Sequence, residues 1–330
     1  MASAAAAVTS GPNGGPATAD VGGTRTDMEE HLSSYGKGEA TPGKSHRHPD
    51  RFRIRSTDPR QECRRIILIP QSTATVSGWS RNQEGCQIYS AHSPLARKLG
   101  NFVALSGAEL KVLDGLHRRR RNFVAGRDLV YQGQSRAAAY ILADGWVCSY
   151  KLLPDGTRQI VDFQIPGDFL GLRSVLFRTA DHNIEPVTAV EASEVLESDL
   201  LRAFSDTPRL ATAVLWAASR DEAMVVEHLV GIGRRDALER MAHFLLELSA
   251  RLTLVGRGTR TQFECPITQY HLADALGLSA VHVNRVLREL REQGLLTFQK
   301  GQVTVHDFDR LVELAEFDVG YLDHDGPLLR

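Results

Sequence analysis

The stretch from Ile267 to Leu296 leaves the chain little choice of local structure. Thr268 stands where an N-cap belongs, and Leu272, Ala273 and Leu276 follow on one helical face. Gly277 then supplies the permissive backbone of a tight turn. Ser279 is a second N-cap, because its hydroxyl can accept from an orphan N–H two or three residues on. After it Val283, Val286, Leu287 and Leu290 recur at helical spacing. Two short capped helices joined through a glycine make a helix-turn-helix.

The outer face of the second helix carries His282, Asn284, Arg285, Arg288 and Arg291. These donors reach phosphates and base edges. In this motif the second helix lies in the major groove with its N-terminal residues at the bases. Arg285 suits a bidentate pair with guanine, and Asn284 suits adenine. Val281 and His282 share that N-terminal turn and are read as base-contacting with them. Thr268, Ser279, Arg288 and Arg291 fit phosphate contacts, which position a protein without reading sequence. The β-prone runs Leu296–Gln299 and Gln302–Val305 flank Lys300-Gly301, a hairpin signal directly after the reading helix. Lys300 at its tip is a further phosphate contact, and the whole is a winged helix.

Net charge over the 330 residues is −1, so a basic footprint must be local. No apolar run approaches bilayer length, and the Ala-rich start lacks the charged and apolar blocks of a secretory signal. The four cysteines, Cys63, Cys86, Cys148 and Cys265, show neither metal-ligand nor disulfide-framework spacing. A reduced cytoplasm is therefore expected, with no membrane association. No nucleophile–base set, phosphate loop or metal motif is legible, so an enzyme is not expected.

Composition divides the rest. Residues 1–93 are rich in small and polar residues and read as a mostly disordered tail, with basic patches at Arg51–Arg55 and Arg60–Arg65. Residues 94–205 begin with a short helix over Leu105–Leu116 capped by Ser106. Strand-like runs follow at Asn122–Val124, Asp128–Tyr131, Ala139–Leu142, Trp146–Leu153 and Arg158–Ile165. Pro154-Asp155-Gly156 marks a hairpin between the last two. Short strands at this spacing predict a sandwich or barrel. Residues 206–234 return to helical period, with Leu210, Val214, Leu215, Ala218, Met224 and Leu229 as one apolar stripe. That stripe is either core or a two-fold dimer seam, and paired half-sites favour the seam. Gly231 and Gly233 interrupt it and are hinge candidates, Gly233 also reading as a helix C-cap. Residues 235–323 form the winged helix, opening with a helix over Asp236–Leu252, and 324–330 a short tail.

This order of barrel, long helix and winged helix resembles the Crp/Fnr family of transcription regulators over about residues 94–323. The specific matches are Leu153-Pro-Asp-Gly-Thr-Arg-Gln-Ile160, Ile165-Pro-Gly-Asp-Phe169, Gly233-Arg-Arg-Asp-Ala-Leu-Glu-Arg240 and Val281-His-Val-Asn-Arg-Val-Leu287. The resemblance implies an α+β chain with a cyclic-nucleotide-binding-like β-roll, a dimerisation helix and a C-terminal winged helix-turn-helix. It implies a homodimer on double-stranded palindromic DNA, with RNA polymerase as partner. Nucleotide-binding members carry Gly-Glu and Arg-Ser pairs; here Leu172 stands at the Glu position and Asn183-Ile184 at the Arg-Ser position. Without that arginine the phosphate loses its fork of donors, so cyclic nucleotide is not an expected cofactor. An iron–sulfur cluster is not expected either, because Cys63 and Cys86 are not closely spaced. Cys148 is a candidate sensor as a redox thiol, or a half-buried core thiol. His182 is a candidate haem ligand, or an ordinary loop histidine, and no haem is expected. Many members place a Glu where Val281 stands, so a different half-site is expected while Arg285 keeps its guanine. Two alternatives remain: a regulator responsive to cyclic nucleotide, redox state or haem, and a signalling module whose winged helix contacts protein.

Overall fold

The computed structural model describes residues 93–135 and 138–322. The two tails, the basic patches at Arg51–Arg55 and Arg60–Arg65, and Cys63 and Cys86 lie outside the described residues. Helix α1 (Pro94–Phe102) starts where the Ser93 hydroxyl accepts from the Ala96 N–H and Pro94 presets the first turn. Helix α2 (Gly107–Leu116) opens on a capping box, Ser106 and Glu109 each satisfying the other's backbone N–H. The cap expected at Ser106 is in place.

Seven strands then build a roll: β1 (Arg120–Phe123), β2 (Ala139–Asp144), β3 (Val147–Leu152), β4 (Arg158–Gln164), β5 (Phe169–Leu170), β6 (Asn183–Pro186) and β7 (Val190–Val195). One sheet has the order β1-β7-β2-β5 and the other β4-β3-β6, all pairs antiparallel. The Pro154–Gly156 turn joins β3 to β4, with Leu152 opposite Arg158 and the Asp155 carboxylate accepting from Thr157. The interior is filled by Leu142, Val147, Leu170, Ile184, Val190 and Ala192. The expected strand over Asp128–Tyr131 does not form. Only Val130 makes a bridge, to Ile184, because left-handed Gly126 and Gly133 turn the chain on either side of it. Strands β5 to β7 escaped the sequence reading, since turn signals there are weaker than those before them.

After helix α3 (Glu197–Asp206), helix α4 runs unbroken from Pro208 to Arg234. This corrects two expectations. Gly231 and Gly233 do not interrupt or cap the helix. It ends at Arg235, whose backbone is extended, and Asp236 caps the next helix through the Leu238 and Glu239 N–H groups. Two interior glycines cost about 1 kcal/mol each, and the strong cap at Asp236 places the break two residues later. The expected single stripe is also two faces. Leu210, Val214 and Met224 are buried, Leu210 and Val214 packing with Leu95, Leu99 and Ile141 in the protomer's own core. Leu215 (65% exposed) and Leu229 (71% exposed) point away from it with Val226, and Ala218 sits half-buried at the edge. At 100° per residue a set spread over 20 positions drifts around the helix.

Helix α5 (Ala237–Leu254), β8 (Gln262–Glu264), α6 (Gln269–Leu276), α7 (Ala280–Glu292), β9 (Leu296–Gln299), β10 (Gln302–Val305) and α8 (Phe308–Ala315) complete the chain, with a 3-10 turn at Val319–Leu322. The wing is a three-stranded sheet ordered β8-β10-β9, of which β8 was not anticipated. Lys300 and Gly301 both have positive φ (52° and 74°), as a two-residue hairpin loop demands. One apolar core runs from Met241, Leu245 and Leu248 of α5 through Val283 and Leu290 of α7 to Cys148, Ile160 and Phe163 of the roll. The winged helix and the roll therefore share buried surface within one protomer.

Candidate nucleic-acid interface

The Thr268 hydroxyl accepts from the His271 N–H at 3.3 Å, and His271 Nδ1 accepts from the Thr268 N–H at 3.2 Å. Gly277 takes the left-handed conformation (φ 63°) that ends α6, a conformation side-chain-bearing residues rarely adopt. The Ser279 hydroxyl accepts from the His282 N–H at 3.2 Å and starts α7. Both caps fall where the spacing placed them. Val283, Val286 and Leu290 are buried beneath α7.

The opposite face is open. Val281 is 81% exposed, and Asn284, Arg285, Arg288 and Arg291 are exposed beside it. These five residues line one groove with Leu287, Gln269 of α6 and Phe298 of β9. Arg285 Nη2 lies 2.9 Å from His282 Nε2, one turn back, so His282 is half-buried against the base-reading candidate. Lys300 is exposed at the wing tip, outside the groove lining. The Thr268 and Ser279 hydroxyls accept as caps and keep their own O–H to donate. The sequence reading missed Gln269 and Phe298, which line the groove. The place of Gln269 directly after the Thr268 cap was a signal for it, and nothing local marked Phe298.

In the roll, the positions compared with nucleotide-binding proteins are occupied by other contacts. The Asn183 side chain accepts from the Gln132 N–H at 3.0 Å, and Ile184 is fully buried. Leu172 begins a 3-10 turn (Leu172–Val175) and packs against the core. Arg173 pairs with Asp181 at 3.2 Å, and Glu185 pairs with Arg158 at 3.0 Å. His182 Nδ1 lies 2.7 Å from the Asp181 carboxylate. Burial holds the His182 pKa below its ordinary value despite that partner. Cys148 has no exposed surface, where the sequence had left it half-buried or redox-active. Burial, then the Glu185 charge, pushes its thiol up to about 12, so it carries negligible thiolate near neutrality. Among the described residues no group of three His, Cys, Asp or Glu is placed to hold a metal ion. No described helix is long and apolar enough to cross a membrane.

A roll, a long helix and an exposed reading helix with a wing define a DNA-binding protein with a second, β-roll domain. Residues 239–314 match the Crp-like helix-turn-helix domain, and residues 120–214 match the cyclic nucleotide-binding domain. The nitrogen fixation regulation protein FixK of Bradyrhizobium diazoefficiens is 32% identical over 212 residues, covering 64% of this chain and 88% of that protein. A probable transcriptional activator of Rhizobium leguminosarum bv. viciae is 31% identical over 209 residues, covering 63% and 85%. The structure of FixK2 from Bradyrhizobium japonicum aligns with a TM-score of 0.54 at 28% identity, over 59% of this chain and 96% of that one. The chain belongs to the Crp/Fnr family of transcription regulators, and it is a DNA-binding regulator.

Proposed function

We propose that the protein acts as a homodimer that binds an inverted-repeat DNA site through α7, under a sensor roll that does not respond to cyclic nucleotide. The carrying observation is the open groove on α7, where Val281, Asn284 and Arg285 stand together with Arg288 and Arg291. Arg285 takes a guanine and Asn284 an adenine. Val281 packs on a thymine methyl, and His282 steadies Arg285 beside it. Arg288, Arg291, Lys300 and the N-termini at Thr268 and Ser279 take phosphates.

The exposed face of α4 supplies the two-fold seam. Leu215, Val226 and Leu229 recur near heptad spacing on a side the protomer leaves uncovered. Two heads on such a seam read a palindrome. Buried Ile184 and engaged Asn183 stand where nucleotide-binding members carry the Arg-Ser pair, which supports a roll that takes no cyclic phosphate. Cys148 is a core thiol and His182 a partner of Asp181 in this reading, and neither carries a cluster or haem. RNA polymerase is the partner on the promoter, in the cytoplasm, and the chain acts by binding rather than catalysis.

The test selects a duplex from a random pool with purified protein, then titrates it at two salt concentrations, with and without cyclic AMP. An inverted repeat is expected. Neutralising about 6–10 phosphates implies an affinity loss of about 10³–10⁵ between 50 and 200 mM salt, with cyclic AMP leaving affinity unchanged. A flat salt response overturns DNA reading in favour of a protein-contacting winged helix. A cyclic-AMP-dependent gain overturns the sensor reading alone.

A further inference from the structure

We propose that Arg251 is a positioning residue for DNA reading: it staples the reading domain to a corner of the sensor roll and so sets the spacing at which two heads meet DNA. This rests on the dimer and inverted repeat proposed above.

Arg251 lies on α5, in the reading domain, yet its side chain bonds to the other domain. Nη1 donates to Asp162 Oδ1 at 3.1 Å. Nη2 donates to the Phe163 carbonyl at 2.6 Å and to Asp168 Oδ2 at 3.1 Å. All three acceptors belong to β4 and the corner after it, and the Arg251 side chain is only 3% exposed. The corner is itself tied down. Asp168 accepts from Lys98 Nζ of α1 at 2.7 Å and from the Ile165 N–H at 2.9 Å. One turn back on α5, fully buried Glu247 lies 3.5 Å from Arg251 and holds His228 of α4 at 3.0 Å. The guanidinium thus joins the reading domain to the roll corner directly, and Asp168 and Glu247 extend the network to Lys98 of α1 and His228 of α4.

Other polar contacts cross the same junction at its more open edge: Arg158 Nε donates to Asp274 Oδ2 at 2.7 Å, with side chains 24% and 31% exposed, and Gln159 Nε2 donates to the Ala275 carbonyl at 3.0 Å. Phe163 meets Phe244 edge-on, with centroids 5.8 Å apart. Apolar contacts of this sort give adhesion without direction. A planar fork of N–H donors in a buried site demands its acceptors at set angles, and a missing acceptor leaves charge uncompensated. Water screens the pair at the open edge, so the buried Arg251 fork is the stronger constraint on the angle between the domains. One extra base pair moves half-sites apart by about 3.4 Å and turns one against the other by about a tenth of a helical turn. A head held by the buried fork resists that shift, and one left with apolar packing and the open-edge contacts follows it more easily.

The experiment compares wild type, Arg251→Gln and Asp162→Asn on three duplexes. These are the inverted repeat that wild type selects, the same repeat with one base pair inserted at its centre, and a scrambled sequence. Wild type is expected to prefer the native spacing by about tenfold or more, and Arg251→Gln by about threefold or less, on the scale of one mismatched pair. Affinity for the scrambled duplex stays unchanged. Asp162→Asn, which keeps the bonds to Phe163 and Asp168, lowers the preference part way. A wild-type spacing ratio in Arg251→Gln overturns the proposal. So does an equal loss on all three duplexes, which marks a purely structural role. If Arg251→Gln loses its cooperative thermal transition, Asp162→Asn decides, and an unchanged ratio there overturns the proposal. Failure of wild type to select any inverted repeat overturns the functional reading, and this inference with it.

Discussion

At the scale of single residues, the reading helix separates cleanly into roles. Val283, Val286 and Leu290 carry the packing, so Arg285 on the open face can change without disturbing the core. Arg285→Ala is expected to cost about 1–3 kcal/mol on the selected site and to relax preference at one base pair. Affinity for scrambled DNA should fall far less. Competition titration against single-base variants checks this, and an undiminished preference at every position removes Arg285 from base reading. Arg285 and Val281 were legible from spacing alone, because helical period decides which side chains face out. The 2.9 Å contact between Arg285 and His282 was not, since a rotamer choice leaves no trace in the order of residues. Cys148 shows the same limit. Alternation placed it at the edge of the core, and only packing against both neighbouring strands made it fully buried.

At the scale of elements, α4 was legible as a helix and misread as a surface. Its apolar residues were counted as one stripe, although Leu210 and Val214 serve the protomer and Leu215 and Leu229 face outward. Which side is covered depends on α1 and the roll lying against it, and periodicity does not report neighbours. The corrected assignment sharpens a prediction. Leu229→Asp places a charge on a side chain that is 71% exposed in the protomer, so folding should be preserved. A charge in an apolar two-fold seam should drive dimer to monomer, measured by sedimentation velocity, and weaken binding to the inverted repeat. A Leu229→Asp protein that stays dimeric moves the seam elsewhere. The α6–α7 pair, by contrast, was read correctly to its caps. Thr268, Gly277 and Ser279 act on backbone groups within four residues, and local chemistry is what sequence states most directly.

At the scale of the whole molecule, the junction of roll, long helix and reading domain is held by buried charges. Burial lowers the His228 pKa, but Glu247, Asp162 and the Val161 carbonyl outweigh it and raise it to about 9. Burial would raise Glu247, but His228, Arg251 and Tyr321 hold it at about 2. His243, desolvated and close to Arg235, is lowered to about 4. A raised histidine stabilises the fold below its ordinary value of 6.5 and loses that contribution as pH rises towards 9. The lowered groups act oppositely. Glu247 loses its contribution as pH falls from 4.5 towards 2, and His243 loses its own from 6.5 towards 4. Stability of the junction should therefore peak near pH 6.5. His228→Gln should flatten the decline between pH 6.5 and 9, as measured by thermal unfolding across pH, and an unaltered slope there discounts the pair. None of these groups stood out in the sequence, because Lys98, Asp168, His228, Glu247 and Arg251 are spread over more than 150 positions and meet only when the roll closes on α5. The order of residues by itself determined the capped reading helix, its outward cations, the wing and the succession of roll, helix and head, since each rests on contacts between near neighbours. Tertiary structure alone decided which face of α4 is exposed, which contacts Asn183 and Arg173 make in the roll, and how the reading head is joined to that roll. Those outcomes depend on which distant segments exclude water from one another, and burial, unlike periodicity, belongs to the assembled chain.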